Sequence, residues 1–489
     1  MYLGIDLGTS SVKTVLMDGN QTIIASSTAS MEVSRLKTGW SEQDPAAWVN
    51  GIESTLTELH TNHRLFMQAV RGIGLSGHMH GATLLDKQDK VLRPCILWND
   101  TRSFVEAHEL DTPQSRSLCG NILFPGFTAP KLAWTAKHEP HTFIKVAKVL
   151  LPKDYARLWL TGEHVSEMSD AAGTGWLDVA NRQWSDDLLA TTQLTTDNMP
   201  SLVEGTAVSG TLRPELSRRF GLSESVVVAG GAGDNAASAC GIGTVTPGSA
   251  FLSLGTSGVL FTANASYQPN AQSAVHTFCH AIPNTWHQMG VILAATDSLN
   301  WLANILDKSP AGLTAALEGT EVVPTNVLFL PYLGGERTPH NDANARGVFI
   351  GLNHNTSSVD MTKAVLQGVA FAFRDSQNAL ANAGTQLDSA YAMGGGSKSD
   401  YWLQVMASAL KLPLHVTADG DYGASLGAAR LGMIAAENVD PEQVCQKPPI
   451  SQTIEPKAEL FDHYSCEFNR YQQAYKAIAS ISNTERQTD

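Results

Sequence analysis

The tetrapeptide Leu-Gly-Thr-Ser occurs twice in this chain of 489 residues, with its glycine at position 8 and again at position 255. The likeness extends further. Ile5-Asp6-Leu7-Gly8-Thr9-Ser10-Ser11-Val12 aligns with Leu252-Ser253-Leu254-Gly255-Thr256-Ser257-Gly258-Val259. Each copy reads as an apolar strand, a tight polar turn and a returning strand. A unit recurring at half the chain length predicts one core built twice. The expected boundary lies near Val245-Thr246-Pro247-Gly248, giving an N-terminal domain of residues 1–245 and a C-terminal domain of residues 246–489. Length agrees, because single cores stop growing at about 250–300 residues.

Local patterns describe an α/β protein. Residues 2–6, 12–17 and 21–29 predict a three-stranded meander, with Asp18-Gly19-Asn20 as turn chemistry. Asp44-Pro45 is a helix start, and Pro130 and Pro152 suggest two more. Strand-like runs fall at 70–76, 82–86, 94–98 and 226–229. The second half predicts helices over 359–383 and 400–410, separated by a strand over 390–393. Beyond about 437 periodicity weakens until a helix near 459–481, and the last eight residues are expected to fray.

Composition narrows the function classes. With 43% hydrophobic and 16% charged residues, the chain has ample apolar surface to bury and is not mainly disordered. A formal charge of −14 argues against non-specific nucleic-acid binding and against an anionic membrane surface. No run approaches the roughly 18 apolar residues of a membrane span. Asp6 interrupts the N-terminus before the apolar stretch of a signal peptide forms. A soluble cytoplasmic protein is expected. The six cysteines, at 95, 119, 240, 279, 445 and 466, form no Cys-x-x-Cys pair and are expected as buried free thiols.

A Gly-Thr-Ser turn suits a phosphate, since glycine admits an oxyanion to the backbone and hydroxyls and successive N–H groups donate to it. One such turn by itself reads as an ordinary hairpin. Two facing each other across a cleft would surround a polyphosphate with Thr9, Ser10, Gly255, Thr256 and Ser257. Asp6 adds a carboxylate that repels phosphate unless a cation intervenes, which predicts Mg²⁺ held largely through water. There is no Gly-x-x-x-x-Gly-Lys-Ser/Thr, so a P-loop is excluded. Gly230-Gly231-Ala232-Gly233-Asp234-Asn235 follows a buried strand and opens an Ala/Gly-rich helix. Asp234 there is either a cap, ionised by the helix dipole, or the acid that accepts a hydroxyl proton in phosphoryl transfer. The small residues before it leave room for a substrate.

Gly394-Gly395-Gly396-Ser397 is a close-approach loop for a flat ligand such as adenine, whereas Gly423-Ala424-Ser425-Leu426-Gly427-Ala428-Ala429 reads as tight helix packing. His78-Met79-His80 ends a strand, and alternation would set both histidines on one face, suited to a polar substrate. His276, Cys279 and His280 lack the paired spacing of a zinc site. Trp40, Trp98, Trp134 and Trp176 either stack on sugar faces or fill core. Trp98 ends an apolar run where it would line a pocket.

The two turns and the glycine triplet resemble the phosphate and adenosine loops of the actin-like ATPase superfamily. Gly126-Phe127-Thr128-Ala129-Pro130-Lys131-Leu132-Ala133-Trp134, and the segment from Gly347 through Gly351-Leu352 and Asp360 to Ala364-Val365-Leu366-Gln367, look like the two FGGY carbohydrate-kinase signatures. Thr135 departs from the first, where an aliphatic residue is usual. Trp40-Ser41-Glu42-Gln43-Asp44-Pro45, His78-Met79-His80-Gly81, Leu97-Trp98-Asn99-Asp100, Ser169-Asp170-Ala171-Ala172-Gly173-Thr174 and Leu330-Pro331-Tyr332-Leu333-Gly334-Gly335-Glu336-Arg337-Thr338-Pro339-His340 resemble the branch of that family acting on D-xylulose. His78 stands where a glutamine is common there.

The resemblance implies two actin-like (ribonuclease H-like) α/β domains around a catalytic cleft, and ATP- and Mg²⁺-dependent phosphorylation of D-xylulose at its terminal hydroxyl. Asp234 would be the general base, with Met79, His80 and Asn235 on the sugar. Asp6 would order Mg²⁺ and the phosphates, Thr9 and Thr256 would hold the phosphate chain, and Gly395 and Gly396 would receive the adenosine. Ribulose, gluconate or glycerol are the alternative acceptors, and an actin-like chaperone or scaffold ATPase is the alternative class. The expected partners are a sugar and a nucleotide, without nucleic acid or membrane, and a homodimer is the assembly considered.

Overall fold

Residues 1–30 form the expected meander in the computed structural model, which describes residues 1–418 and 423–484. Strands β1 (Tyr2–Leu7), β2 (Ser11–Met17) and β3 (Ile23–Ser30) pair antiparallel in succession. Asp18 makes the second turn, its Oδ1 accepting from the backbone N–H groups of Asn20 at 2.9 Å and Thr22 at 2.8 Å. Beyond β1 lies β4 (Gly72–Gly77), parallel to it. Then come β5 (Val208–Thr211) and β6 (Val227–Ala229), in the sheet order β5-β6-β4-β1-β2-β3. The short β7 (Ala232–Gly233) also pairs with β4, further along it.

The second half repeats this plan. Strands β8 (Ala250–Leu254) and β9 (Gly258–Asn264) form a hairpin around the second Gly-Thr-Ser. With β10 (His276–Cys279), β11 (Trp286–Ile292), β12 (Ala390–Met393), β13 (Leu414–Thr417) and β14 (Ile450–Ile454), the order is β10-β11-β9-β8-β12-β13-β14. In both sheets a hairpin carries an antiparallel third strand on one side and a parallel strand on the other. The duplicated core is therefore visible as topology. Strand β14 has no counterpart in the sequence expectation. It is an edge strand whose first residues are exposed, so no buried alternation marks it.

Helix α1 (Pro45–Asn62) starts as expected, with Asp44 accepting from Ala46 N–H at 3.0 Å, and it buries Trp48, Ile52, Leu56 and Leu59. Helix α2 (Thr128–His138) begins two residues before Pro130, which sits in the first turn where backbone N–H groups have no intrahelical partner anyway. Helix α3 (Pro152–Thr161) starts on its proline. The others that matter are α4 (Asp234–Ile242), α5 (Thr296–Ile305), α6 (Ser358–Asn382), α7 (Asp400–Leu410), α8 (Ala424–Glu437) and α9 (Phe461–Thr484). Of the eight residues expected to fray, Thr484 still ends α9, and those from 485 on lie outside the described residues. Cys466 is exposed, unlike the other five cysteines, because α9 turns Tyr464, Phe468 and Tyr471 inward and leaves position 466 off that stripe.

Helices α4 and α8 pack together between the halves. Helix α8, from the second half, lies on β1 and β4 of the first sheet. Its approach is so close that a Cβ on Gly4 would stand 1.9 Å from Ser425 O, and one on Gly74 1.8 Å from Ala428 O. In turn Ala239 and Ile242 of α4 share an apolar cluster with Phe251, Phe261 and Tyr391 of the second sheet. The two helices cross at Gly427, where a Cβ would meet Ala237 O at 1.8 Å. The link between α4 and β8 contains the 245/246 boundary, but the packing of these two helices does not follow it.

Candidate active site

Gly8, Thr9 and Ser10 close the β1–β2 hairpin, with Gly8 N–H donating to Ser11 O at 3.0 Å. Gln43 Nε2 donates to Thr9 O at 3.1 Å and Trp98 Nε1 to Thr9 Oγ1 at 3.0 Å. Ser10 and much of Trp98 remain exposed. In the second hairpin the carbonyls of Gly255 and Thr256 accept from the backbone N–H groups of Thr296 and Ala295 at 2.9 and 2.8 Å. This ties the turn to the start of α5 and leaves Thr256 exposed.

Asp6 lies beside the first hairpin, directly opposite Ser76 on β4, whose Oγ donates to Asp6 Oδ1 at 2.8 Å. Asp234 opens α4. The chain reaches it through Gly231, at φ +75°, which separates β6 from β7 and where a Cβ would lie 2.2 Å from Leu75 O. Asp234 Oδ1 accepts from Asn235 N–H at 2.7 Å and from Asn235 Nδ2 at 3.0 Å. Those bonds and the helix dipole favour the carboxylate. Burial and the nearby Asp6 charge outweigh them and raise its pKa to about 6. Burial likewise raises Asp6, against the Ser76 hydrogen bond and the Lys13 charge.

A buried charged network fixes the approach to Asp234. Gly233 N–H donates to Ser169 Oγ at 3.0 Å, and Ser169 Oγ donates to Glu167 at 3.0 Å. Lys153 Nζ lies 3.5 Å from Glu167, 3.2 Å from Asp170 and 2.6 Å from Asp154. Arg157 donates to the carbonyls of Ala229 and Gly230 at 2.6 and 2.5 Å. The loop ahead of the acid is thus held rigidly.

Met79 lies against that loop, since a Cβ on Gly233 would meet its Cγ at 2.9 Å. His80 adopts φ +69°, its Nδ1 2.6 Å from Gly173 O and its ring stacked 4.6 Å from Phe127. A carbonyl only accepts, so Nδ1 carries the proton. Burial foremost, then Lys131, lowers the ring's pKa to about 3, which leaves Nε2 as an acceptor. The two histidines do not share a face, because β4 ends at Gly77. His78 instead turns inward, 5.7 Å from Trp48, and is buried. His276 and Cys279 lie buried on β10. His276 sits 5.3 Å from Phe124 in the aromatic cluster that includes Phe127. Trp176 fills core, while Trp40 and Trp134 pack edge to face around Arg102.

The glycine triplet abuts the second hairpin. Gly394, at φ +88°, would place a Cβ 2.7 Å from Leu254 O, and a Cβ on Gly395 would meet open space. Gly395 and Gly396 line a cavity of about 580 Å³ with Asn300, Pro310, Glu318 and Tyr401, a volume suited to a small ligand.

Comparison with known proteins identifies this arrangement. Residues 1–241 match the N-terminal domain, and residues 250–436 the C-terminal domain, of the FGGY family of carbohydrate kinases. The chain belongs to the FGGY family of carbohydrate kinases. It is 45% identical over 489 residues to the xylulose kinase of Escherichia coli (strain K12), covering 98% of this chain and all of that protein. It also resembles the crystal structure of a xyloylose kinase from Brucella ovis, with 55% identity, a TM-score of 0.97 and coverage of 98% and 99% of the two chains. The gluconate kinase structure from Lactobacillus acidophilus is similar too, at 26% identity, a TM-score of 0.91 and 99% coverage of both chains.

In this FGGY kinase the first signature segment supports the backbone at His80. Lys131 Nζ donates to His80 O at 2.8 Å and to Gly126 O at 2.7 Å, and burial lowers its pKa to about 7. Thr135, the departure from the signature, is buried and donates to Lys131 O at 2.7 Å. Of the residues singled out in the sequence, Asp6, Asp234, Asn235 and Met79 lie around one loop, and Gly395 and Gly396 beside the second hairpin. Ser76 was not anticipated, and Ser169 and Gly173 were singled out only within a segment that carried the resemblance, without a role of their own. Ser76 is readable only once β1 and β4 are in register, and Ser169 only once its loop packs behind Gly233.

Proposed function

We propose that this FGGY kinase transfers the γ-phosphoryl group of ATP to the terminal hydroxyl of D-xylulose, yielding D-xylulose 5-phosphate and ADP, in the cytoplasm. The observation that carries the chemistry is the half-open Asp234 carboxylate, its pKa raised to about 6, at a helix N-terminus between Asp6 and the Met79–His80 wall. Sugar identity rests on likeness to xylulose kinases over nearly the whole chain.

In this reading Asp234 takes the proton of the C5 hydroxyl as its oxygen bonds to the γ-phosphorus and the bridging bond to ADP breaks. Asn235 fixes the carboxylate, and His80 Nε2 accepts from another sugar hydroxyl. The Thr9–Ser10 and Gly255–Ser257 turns donate to the phosphate chain, and the cavity beside Gly395 and Gly396 takes the adenosine. Two neighbouring carboxylates whose proton affinity is raised make a site short of positive charge, which fits Mg²⁺ held by Asp6, water and phosphate oxygens. When bound, that ion neutralises charge on the phosphates. Both halves match carbohydrate-kinase domains, which gives the chaperone or scaffold alternative no support.

The test is coupled ADP release with D-xylulose, ribulose, gluconate and glycerol. D-Xylulose is expected to give the highest kcat/KM, and a clear preference for another acceptor overturns the sugar assignment. Asp234→Ala is expected to lower kcat by about 10²–10⁴-fold with sugar binding retained. Near-normal turnover would remove its role as base.

A further inference from the structure

The loop of residues 330–340 reaches the sugar-side wall from the second half, and it is unusually well pinned. Thr338 N–H donates to Val291 O at 3.0 Å, Val291 N–H to Thr338 Oγ1 at 3.0 Å, and Thr338 Oγ1 to Ala274 O at 2.8 Å. Glu336 Oε1 accepts from the backbone N–H groups of Arg337 at 2.7 Å and Leu293 at 3.0 Å. The backbone around Arg337 is therefore rigid, yet its side chain is left over. Among the described residues no carboxylate, carbonyl or hydroxyl bonds its guanidinium, which stands 4.5 Å over the ring of Phe124. The contrast within the chain is plain. Arg102 pairs with Asp100 and Glu42, Arg182 pairs with Glu204, and buried Arg157 bonds three carbonyls and Ser209.

The guanidinium nitrogens are not sealed from water, so their donors are open to a ligand that enters the site. Its surroundings say which ligand. Phe124 packs 5.6 Å from Phe127, which stacks on His80, and 5.3 Å from His276. Arg337 thus closes the cluster carrying His80, from the opposite half of the chain. Its charge acts on His80 and His276, whereas the charge acting on Asp234 is that of Asp6. Arg337 belongs to the His80 end of the site, away from the phosphoryl end.

We infer that Arg337 is a substrate-binding residue that donates hydrogen bonds to the C1 hydroxyl of the ketose, at the end remote from the phosphorylated hydroxyl. The inference rests on the proposed sugar assignment. An uncharged oxygen suits this position, because the donors of a guanidinium serve a hydroxyl as they serve a carboxylate. Contributed by the second half to residues of the first, the contact makes sugar occupancy bridge the lobes.

The experiment compares wild type, Arg337→Met and Arg337→Lys on D-xylulose and on 1-deoxy-D-xylulose, with sugar-independent ATP hydrolysis measured alongside. Arg337→Met is expected to raise KM for D-xylulose about 10–100-fold. The penalty should fall on KM for the sugar rather than on kcat or on KM for ATP, with Arg337→Lys intermediate. On 1-deoxy-D-xylulose the penalty should shrink, since the hydroxyl served by Arg337 is missing. An unchanged KM, or an equal penalty on both sugars, overturns the inference. If Arg337→Met does not fold, Arg337→Gln carries the same comparison. Wild type inactive on D-xylulose defeats the sugar assignment instead, and the variants are then read on the preferred acceptor and its analogue lacking the remote terminal hydroxyl.

Discussion

Asp234 shows how a single residue's role depends on its surroundings. At the first position of α4, with two hydrogen bonds from Asn235, it would ordinarily titrate low, but burial and Asp6 lift it to about 6. A base must be ionised to accept a proton, so kcat/KM for the sugar should fall as pH drops through about 6. Removing the Asp6 charge takes away a raising influence, and the acid limb of Asp6→Asn should move to lower pH although its overall rate is reduced. A pH–rate profile of the residual activity checks this, and a limb that stays put or moves upward contradicts the coupling. The sequence placed Asp6 and Asp234 at strand and helix ends, but they lie 228 positions apart in number and only β1, β4 and β7 in register set them side by side.

At the scale of elements, the bare backbone under α8 is the feature most exposed to disruption. Gly4, Gly72 and Gly74 form the floor on which α8 lies, and any Cβ at Gly74 would sit 1.8 Å from Ala428 O. Gly74→Ala must push helix from sheet, and it should cost about 1–3 kcal/mol or more. It should therefore lower the urea midpoint, whereas Gly19→Ala, whose Cβ would meet nothing within 4 Å, should stay within about 0.5 kcal/mol. Equal midpoints for the two variants would show that α8 can yield. The 423–429 segment was legible as helix packing, because small residues at helical spacing permit close approach. Its partner was not, since nothing local in 423–429 encodes glycines about 350 to 420 positions earlier. Strand β14 was missed for a related reason: an exposed edge has no buried face to impose a period.

At the scale of the whole molecule, the two seven-stranded sheets are joined by a crossed helix pair. Arg430 of α8 donates to the carbonyls of Cys240 and Gly241 at 2.8 and 2.9 Å, which locks α8 to the end of α4. We expect the lobes to rotate about this pair and close when sugar binds, since water competes as phosphoryl acceptor in an open cleft. ATP hydrolysis without sugar should then run roughly 100-fold or more below sugar phosphorylation. Addition of sugar and nucleotide together should protect the 8–10 and 255–257 turns from hydrogen exchange. Unchanged exchange in both turns would argue for a rigid cleft.

The amino-acid sequence alone determined the doubled strand–turn–strand core, the helix starts at Pro45 and Pro152, and the glycine loops. Each is dictated by short-range chemistry: capping oxygens, ring-locked φ angles, and backbone that only glycine leaves open. Tertiary structure decided the rest. It turned His78 inward and His80 outward, raised the pKa of Asp234, carried α8 across to the first sheet and left the Arg337 guanidinium without a hydrogen-bond partner among the described residues. These outcomes depend on burial and on charges brought together from distant positions, which no local pattern encodes.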